Sequence, residues 1–132
     1  MIKVIVDTSV IIDHLRGISP DFKTLETLQR QQSIELCIPH VVIIELFTGR
    51  NAKKKRVRDG LDALLSGLDV VGLSVASAKK AGELLRTYVQ VPDPFDAIIA
   101  ALAWEHDAQI ATHNQRHFRH IPSITLFEFT RN

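Results

Sequence analysis

Three carboxylates stand inside apolar stretches of this sequence. Asp7 directly follows the run IKVIV, Glu45 interrupts VVIIELF, and Asp96 precedes AIIAALAW. Because the flanking residues are expected to be buried, each carboxylate needs a partner or must take up a proton. The Lys and Arg residues are concentrated in polar segments, where they are poorly placed to neutralise all three acids. The pattern therefore predicts a metal site, since a divalent cation removes the repulsion between converging carboxylates.

The ligand chemistry of this predicted site favours particular ions and a particular reaction. Oxygen ligands, with no thiolate and no required imidazole, point to Mg²⁺ or Mn²⁺. Such ions bind through a few carboxylates, keep several waters and engage substrate phosphates. The chemistry indicated is phosphodiester hydrolysis, in which the metal activates a water and stabilises the charge that develops on the phosphate.

Helix capping is an alternative explanation for the acids around Asp96. Asp93 can serve as the N-cap of a helix in which Pro94 takes the first position, where its missing N–H costs nothing. Asp96 then stands at the third position, where a carboxylate favours the positive end of the helix dipole. Capping and metal ligation can coexist, so this alternative stays open for the sequence.

The other two acids have structural alternatives as well. Asp7 can cap the following helix, with Thr8 or Ser9 sharing the role, and Glu45 can be a partly exposed helix residue. Capping alone and surface exposure alone are common roles for acids, but three separate coincidences are needed to explain all three. The metal site remains the more economical interpretation.

Short β-branched runs alternate with helical patterns along the chain, which predicts one α/β layer structure with a mainly parallel sheet and right-handed crossovers. Strands are predicted for residues 2–6, 34–39, 69–73, 108–112 and 123–129. Helices are predicted for residues 8–17, 40–49, 53–68, 74–89 and 94–104, and another begins at Pro20 and Asp21. In such sheets, sites form at the carboxyl ends of strands near a topological switch point. Asp7 ends the first predicted strand and Thr112 the fourth.

Size, charge and cysteine content indicate what kind of protein this chain can form. The chain has 132 residues, 45% of them hydrophobic, which suits one packed domain. The net charge of +1 means that any nucleic-acid binding must come from a local patch. The single cysteine, Cys37, excludes an intrachain disulfide and is expected to be a buried thiol. The early acid Asp7 excludes a signal-peptide core, and no run is long enough to span a membrane, so a soluble cytoplasmic protein is expected.

Four motifs occur in a recognisable order: IVDTSVIID, IIEL, FDAIIAALA and IATHNQRHF. Together they resemble the PIN-domain family, and in particular the VapC-type toxins of type II toxin–antitoxin modules, from Ile2 to about Phe118. The resemblance implies a three-layer α/β/α sandwich with a central, mainly parallel sheet, formed by a single domain over residues 1–132. It also implies a Mg²⁺- or Mn²⁺-dependent endoribonuclease whose acidic metal site corresponds to Asp7, Glu45 and Asp96.

Around this implied site the sequence departs from the family at one position. Many family members carry an acid where this chain has Asn114, which can ligate a metal or hold its water but brings no charge. A second tightly bound metal is therefore in doubt. Supporting roles are expected for nearby polar side chains that can orient a water or a phosphate. These are Thr8, Ser9, Thr112 and Asp93.

Two further clusters have competing interpretations. His113, His117 and His120 have a spacing that suggests zinc, but zinc normally needs four ligands, so surface or RNA-contacting roles are favoured. The basic run from Arg50 to Arg58 is a candidate for phosphate contacts, with a solvated helix face as its alternative. The candidate RNA-binding residues are Arg50, Lys53, Lys54, Lys55 and Arg56.

The resemblance also implies partners. A separate VapB-like antitoxin is expected, together with a toxin homodimer and a heterotetramer or larger assembly with the antitoxin. The antitoxin is predicted to cover apolar surface on the early helices and to place a basic residue near the three acids. The residues predicted to carry that surface are Ile11, Ile12, Leu15, Val42 and Leu46. Two other functions stay open, namely a non-toxin PIN nuclease in RNA processing or on DNA flaps, and a catalytically silent RNA- or protein-binding module.

Overall fold

A computed structural model of the protein describes residues 1–88 and 93–130. Its strands form one five-stranded sheet in which every neighbouring pair is parallel, as the alternation of elements predicted. The strands are β1 (Ile2–Val6), β2 (Ile34–Pro39), β3 (Asp69–Val71), β4 (Gln109–Ala111) and β5 (Thr125–Leu126). Their order is β3-β2-β1-β4-β5, with Ile5 of β1 opposite Cys37 of β2 on one side and Ile110 of β4 on the other.

Helices cover both faces of this sheet, which confirms the three-layer architecture. They are α1 (Thr8–Leu15), α2 (Asp21–Arg30), α3 (His40–Thr48), α4 (Lys55–Leu65), α5 (Val75–Thr87) and α6 (Pro94–His106). Helix α1 packs on α2 and α3, and α2 lies against β2. Helix α5 packs along α6, which in turn contacts β1 and β4. None of the helices in residues 1–88 and 93–130 has the length and apolarity needed to cross a bilayer.

Helix α6 and the central strand β1 form the heart of the core. Strand β1 lacks alternation because its last three residues are buried, as expected for a strand covered on both faces. Helix α6 is apolar around most of its circumference, and its alanines let it approach the sheet closely. Ile99 is completely buried within it, a burial that stabilises the fold by roughly 1.5–3 kcal/mol. This packing fixes the start of α6 relative to the end of β1.

The strand order creates the switch point that the sequence could only suggest. From β1 the chain moves outward through β2 to β3, then returns to the other side of β1 to form β4 and β5. The carboxyl ends of β1 and β4 therefore flank a crevice from which the following segments diverge. Asp7 leaves β1 and donates its backbone N–H to Ala111 O at 3.0 Å, so the crevice lies beside this acid.

Several elements have other bounds than the sequence predicted, and two of these differences have a local cause. The basic helix begins at Lys55 instead of residue 53, because Arg50–Lys53 forms a short 3₁₀ helix and Lys54 is extended with φ −83° and ψ 128°. Strand β5 is shorter than predicted, since Ser123 adopts φ 69° in a turn before it. Val89, which the prediction placed at the end of α5, and Val91 lie outside the described residues.

Cys37 is buried in β2, as predicted, and is 3% exposed. Burial, together with the nearby carboxylates of Glu35 and Asp69, raises the pKa of its thiol to about 11, and Lys3 opposes this shift. The thiol therefore stays protonated and packs as a small apolar group.

Candidate active site

Asp7 lies at the carboxyl end of β1 and is 5% exposed. It is the N-cap of α1, because its Oδ1 accepts a hydrogen bond from the backbone N–H of Thr8 at 2.8 Å. Its Oδ2 accepts from Ser9 Oγ at 3.1 Å and from Thr112 Oγ1 at 2.7 Å. The predicted capping role is thus real, and three polar groups also hold the carboxylate in one orientation at the crevice.

Glu45 reaches the same crevice from α3. Thr8 Oγ1 donates a hydrogen bond to Glu45 Oε1 at 3.0 Å, so one residue connects the first two acids of the predicted trio. Burial raises the pKa of Glu45, and the negative charges of Asp7 and Asp93 raise it further, while the hydrogen bond from Thr8 opposes these effects. Glu45 is a partly exposed helix residue, as its structural alternative stated, and it is also linked to Asp7 through Thr8.

Asp96 enters the site from the first turn of α6 and is 8% exposed. The capping predicted for Asp93 is confirmed, since its Oδ1 accepts from the backbone N–H of Asp96 at 2.9 Å and Pro94 takes the first helical position. Within the described part of the chain, Asp96 Oδ2 is buried without a hydrogen-bond partner, although His117 Nδ1 lies 3.3 Å away as an ion pair. Asp96 stands in the first turn of α6, where its charge favours the helix dipole as predicted, but this position does not account for its unbonded Oδ2.

The charges of the neighbouring acids act on Asp96. Burial, followed by the charge of Asp93, raises its pKa to about 6, with smaller contributions from Asp7 and Glu45 and an opposing one from His117. Like charges raise a carboxyl pKa in this way when they face one another across a poorly solvated space. A carboxylate with a buried, unbonded oxygen and a raised pKa is a good candidate for a functional group.

The donor set fits a hard divalent cation that keeps part of its water. Among residues 1–88 and 93–130, no three His, Cys, Asp or Glu side chains are already arranged around one point as metal ligands. Mg²⁺ does not need such a complete cage, because it usually binds proteins through one or two carboxylates and retains several waters. The unbonded Oδ2 of Asp96, beside the charges of Asp7 and Glu45, offers oxygen ligands of the right kind.

The predicted supporting residues surround Asp7, whereas Asn114 has a more peripheral position. Thr112 Oγ1 accepts a hydrogen bond from the backbone N–H of Asn114 at 2.9 Å and lies 3.3 Å from Ser9 Oγ. Ser9 Oγ also accepts from the backbone N–H of His113 at 2.9 Å, which ties the segment after β4 to α1. Asn114 is exposed, and the structure shows no side-chain hydrogen bond from it to the acids that are described.

One polar cluster beside the site was missed by sequence reasoning. His113 Nδ1 lies 2.5 Å from Asp13 Oδ2, and His113 Nε2 lies 2.7 Å from Asp21 Oδ2. The ring therefore joins α1, the start of α2 and the segment after β4, contacts that the predicted surface or RNA-contacting role did not include. Because Asp13 and Asp21 lie about ninety to one hundred residues earlier in the chain, no local signal marks this cluster.

The two remaining histidines give no support to zinc. His117 faces Asp96, and His120 has a buried Nε2 without a hydrogen-bond partner among the described residues. Within that same part of the chain the histidines form no metal-ligand group with cysteine or acid.

The basic run lies next to an apolar groove on the side of α1, α3 and α4. Lys55 Nζ pairs with Asp59 Oδ2 at 2.8 Å, but both side chains are mostly exposed. Arg50 and Arg56 help to line the groove, which has a volume of about 660 Å³. Its apolar wall comes from Ile12, Leu15, Leu46 and Val57, with Glu45 at one side. The groove thus adjoins the acidic site.

Comparison with known proteins agrees with this fold. Residues 4–124 match the PIN domain family. The chain is 30% identical over 119 residues to Ribonuclease VapC10 of Mycobacterium tuberculosis, covering 87% of this chain and 85% of the relative. It is 29% identical over 110 residues to Ribonuclease VapC2 of Rickettsia felis, covering 80% and 81%.

Solved structures resemble the whole chain. The crystal structure of VapBC2 from Rickettsia felis bound to a DNA fragment from its promoter has a TM-score of 0.83 at 24% identity, covering 98% of this chain and all of the matched chain. DNA-bound VapBC from Salmonella typhimurium has a TM-score of 0.77 at 26% identity, covering 96% and 98%. The family match spans β1 to the segment before β5 and includes all three acids of the crevice, so this chain belongs to the PIN-domain family.

Proposed function

We propose that this chain is a Mg²⁺- or Mn²⁺-dependent endoribonuclease, acting in the cytoplasm as the VapC-type toxin of a type II toxin–antitoxin module, and that residues 1–132 form a single PIN domain. The observation that carries the proposal is the unbonded, buried Oδ2 of Asp96, facing the charges of Asp7 and Glu45. The relatives named as VapC ribonucleases support the nuclease assignment, since the match to them covers most of both chains.

The roles of the site residues follow from their contacts. Asp7, Glu45 and Asp96 would hold the metal, which when bound activates a water and offsets negative charge on the scissile phosphate. Thr8 fixes Glu45 through Oγ1, and Ser9 and Thr112 fix Asp7 by donating hydrogen bonds to its Oδ2. The orientation of two carboxylates is thus set before substrate arrives, which reduces the reorganisation needed for reaction.

The test of this proposal is RNA cleavage by purified protein with Asp7→Asn as the control variant. Wild-type protein is expected to cleave RNA with Mg²⁺ or Mn²⁺ and to lose this activity in EDTA. Asp7→Asn should lower the rate by about 1,000-fold or more, because it removes a charged ligand and with it several kcal/mol of metal-based stabilisation. Gel electrophoresis of labelled RNA fragments measures the rate.

A matched substitution, Asp59→Asn, removes an exposed acid of α4 that pairs with Lys55 and should leave the rate within a factor of two or so. Cleavage that persists in EDTA, or equal rates for wild type and Asp7→Asn, would contradict metal-dependent hydrolysis at this site. RNA binding without cleavage by folded wild-type protein would instead favour the catalytically silent PIN module.

The apolar groove is the proposed binding site of a VapB-like antitoxin. Ile12, Leu15 and Leu46 of the predicted surface line it, whereas Ile11 and Val42 are fully buried and cannot contact a partner. The groove runs to Glu45, so a bound segment can place a basic side chain against the acids. The VapBC structures from Rickettsia felis and Salmonella typhimurium support a toxin that assembles with an antitoxin. A homodimer of the chain is part of the same proposal.

The basic run is proposed to contact RNA phosphates, although Arg50 and Arg56 also border the groove. Replacing Lys53, Lys54, Lys55 and Arg56 with Gln should weaken RNA binding and flatten its salt dependence by about 0.7 units of slope per lost contact with single-stranded RNA. Metal affinity should barely change, since these side chains lie on another element than Asp7 and Asp96. Fluorescence anisotropy over a salt series measures the slope, and an unchanged slope would show that the run is a solvated face.

A further inference from the structure

A polar recess of about 480 Å³ opens beside the acidic site, where the chain leaves β4. Its walls include Thr112, Asn114, Gln115, Arg116, Arg119 and Phe129. Thr112 belongs to both places, because its Oγ1 donates to Asp7 Oδ2 at 2.7 Å while its side chain lines the recess. The volume lies within the range of small-ligand sites in proteins. Whatever fills the recess therefore lies next to the reacting centre.

The recess has the opposite charge to the acidic site. The described side chains that line it include Arg116 and Arg119 but no Asp or Glu. Both arginines are exposed, and neither forms an ion pair with a residue that the structure describes. A carboxylate cluster repels the polyanionic backbone of RNA, so cations beside it are needed to hold the phosphates that flank the reacting one.

One wall of the recess is an aromatic ring that contacts two other rings. Phe129 packs edge-on against Phe127, with ring centroids 4.9 Å apart and planes inclined at 73°. The ring of His113, itself bonded to two aspartates, lies 6.3 Å away on another side. An aromatic ring at the edge of a cationic recess can stack on a nucleobase.

We propose that this recess binds one nucleotide of the RNA substrate, adjacent to the scissile phosphate. The base stacks on Phe129, the amides of Asn114 and Gln115 hydrogen-bond to its edge, and Arg116 and Arg119 contact the neighbouring phosphates. This inference rests on the proposed ribonuclease function and adds the place where the substrate is held. Paired guanidinium groups with amides and a stacking ring suit RNA, whereas the apolar groove beside α1 suits a protein.

The charge contribution is tested by binding of a short single-stranded RNA to full-length protein in EDTA, measured by anisotropy over a KCl series. The double variant Arg116→Gln/Arg119→Gln should lower the salt slope by about 1.4 units, since each contact to single-stranded RNA contributes about 0.7. Lys23→Gln/Lys79→Gln removes two exposed cations elsewhere and so has the same net charge as the arginine double variant. It should leave the salt slope at the wild-type value. Equal slopes for the two double variants would overturn the proposal.

The stacking contribution has a test that needs no folding assumption. In an RNA whose scissile bond has been mapped, single abasic nucleotides are placed at successive positions. Affinity for wild-type protein should fall by roughly 5- to 100-fold at one position beside that bond. Phe129→Leu should lose the same affinity for intact RNA, whereas Phe129→Tyr should bind intact RNA as the wild type does. For Phe129→Leu, the abasic nucleotide should cause no additional loss of affinity.

The outcomes separate this inference from the proposed function. The nucleotide site alone would be overturned if RNA cleavage needs Asp7 but Phe129→Leu and Arg116→Gln/Arg119→Gln bind RNA with wild-type affinity. Absence of any RNA binding by wild-type protein would overturn both. Loss of antitoxin binding with unchanged RNA binding in these variants would assign the recess to a protein contact and overturn the nucleotide site.

Discussion

Asp96→Asn is expected to abolish RNA cleavage and to leave a folded protein that, without metal, is more stable than the wild type. The amide removes a charge that is 8% exposed and faces Asp93, Asp7 and Glu45. It also removes a metal ligand, so the cleavage rate should fall by about 1,000-fold or more. The backbone N–H of residue 96 still donates to Asp93, which preserves the helix cap.

The stability gain should depend on pH in a defined direction. The pKa of Asp96 is raised from 3.8 to about 6 in the folded protein. Between about pH 4 and pH 6 the folded protein therefore holds a proton that the unfolded chain has lost, so wild-type stability falls as pH rises through this window. Asn carries no charge at any pH. Thermal unfolding in EDTA should show the advantage of Asp96→Asn above pH 6 and little advantage near pH 4.

Asp93→Asn is the matched control, because Asn is also a good N-cap and residue 93 is exposed. It should retain most of the cleavage activity, with a small effect through the lost charge near Asp96. Equal loss of activity in folded Asp93→Asn and Asp96→Asn would contradict the assignment of Asp96 as a ligand and Asp93 as an outer group.

Expression of the wild-type chain without its antitoxin is expected to arrest growth of the host of origin, and co-expression of the neighbouring antitoxin reading frame should restore growth. An RNA-cleaving site with its acids open to the crevice damages cellular RNA, whereas a segment in the groove beside Leu15 and Glu45 can cover the site. Leu15→Glu should keep RNA cleavage but escape the antitoxin, since it places a charge in the apolar wall of the groove. Colony counts after induction measure the effect.

Ile18→Glu provides the comparison for Leu15→Glu. Ile18 is also an exposed apolar residue, at 66%, but it does not line the groove, so this variant should remain controlled by the antitoxin. Harmless expression of soluble, folded wild-type protein without any partner would refute the toxin assignment while leaving a nuclease possible.

The parts of the fold that depend on local sequence could be predicted. The β-branched run before Asp7, the Ser74 cap with its reciprocal hydrogen bonds to Ser77, and the Asp93–Pro94 start of α6 all have short-range causes and all occur in the structure. The same holds for the acids, because burial of a carboxylate between apolar neighbours can be inferred from the sequence around it.

The parts that depend on pairing between distant segments could not be predicted. The strand order that places β4 beside β1 follows from packing of the whole sheet, and it alone brings Thr112 to Asp7 across 105 residues. The His113 cluster has the same character, since its two aspartates lie on α1 and α2. The nucleotide recess likewise joins Phe129 to the segment after β4, two regions that no motif connects.

The central claim is that the carboxylates of the crevice bind a divalent metal, and the most direct test is the melting temperature of purified protein titrated with Mn²⁺ or Mg²⁺. Saturating metal should raise the melting temperature of the wild type by roughly 10 °C, because binding to the folded state at about 100 times its dissociation constant adds about 2.7 kcal/mol. The same titration should leave Asp96→Asn nearly unchanged. Equal shifts in the two proteins, or no shift in either, would contradict the claim.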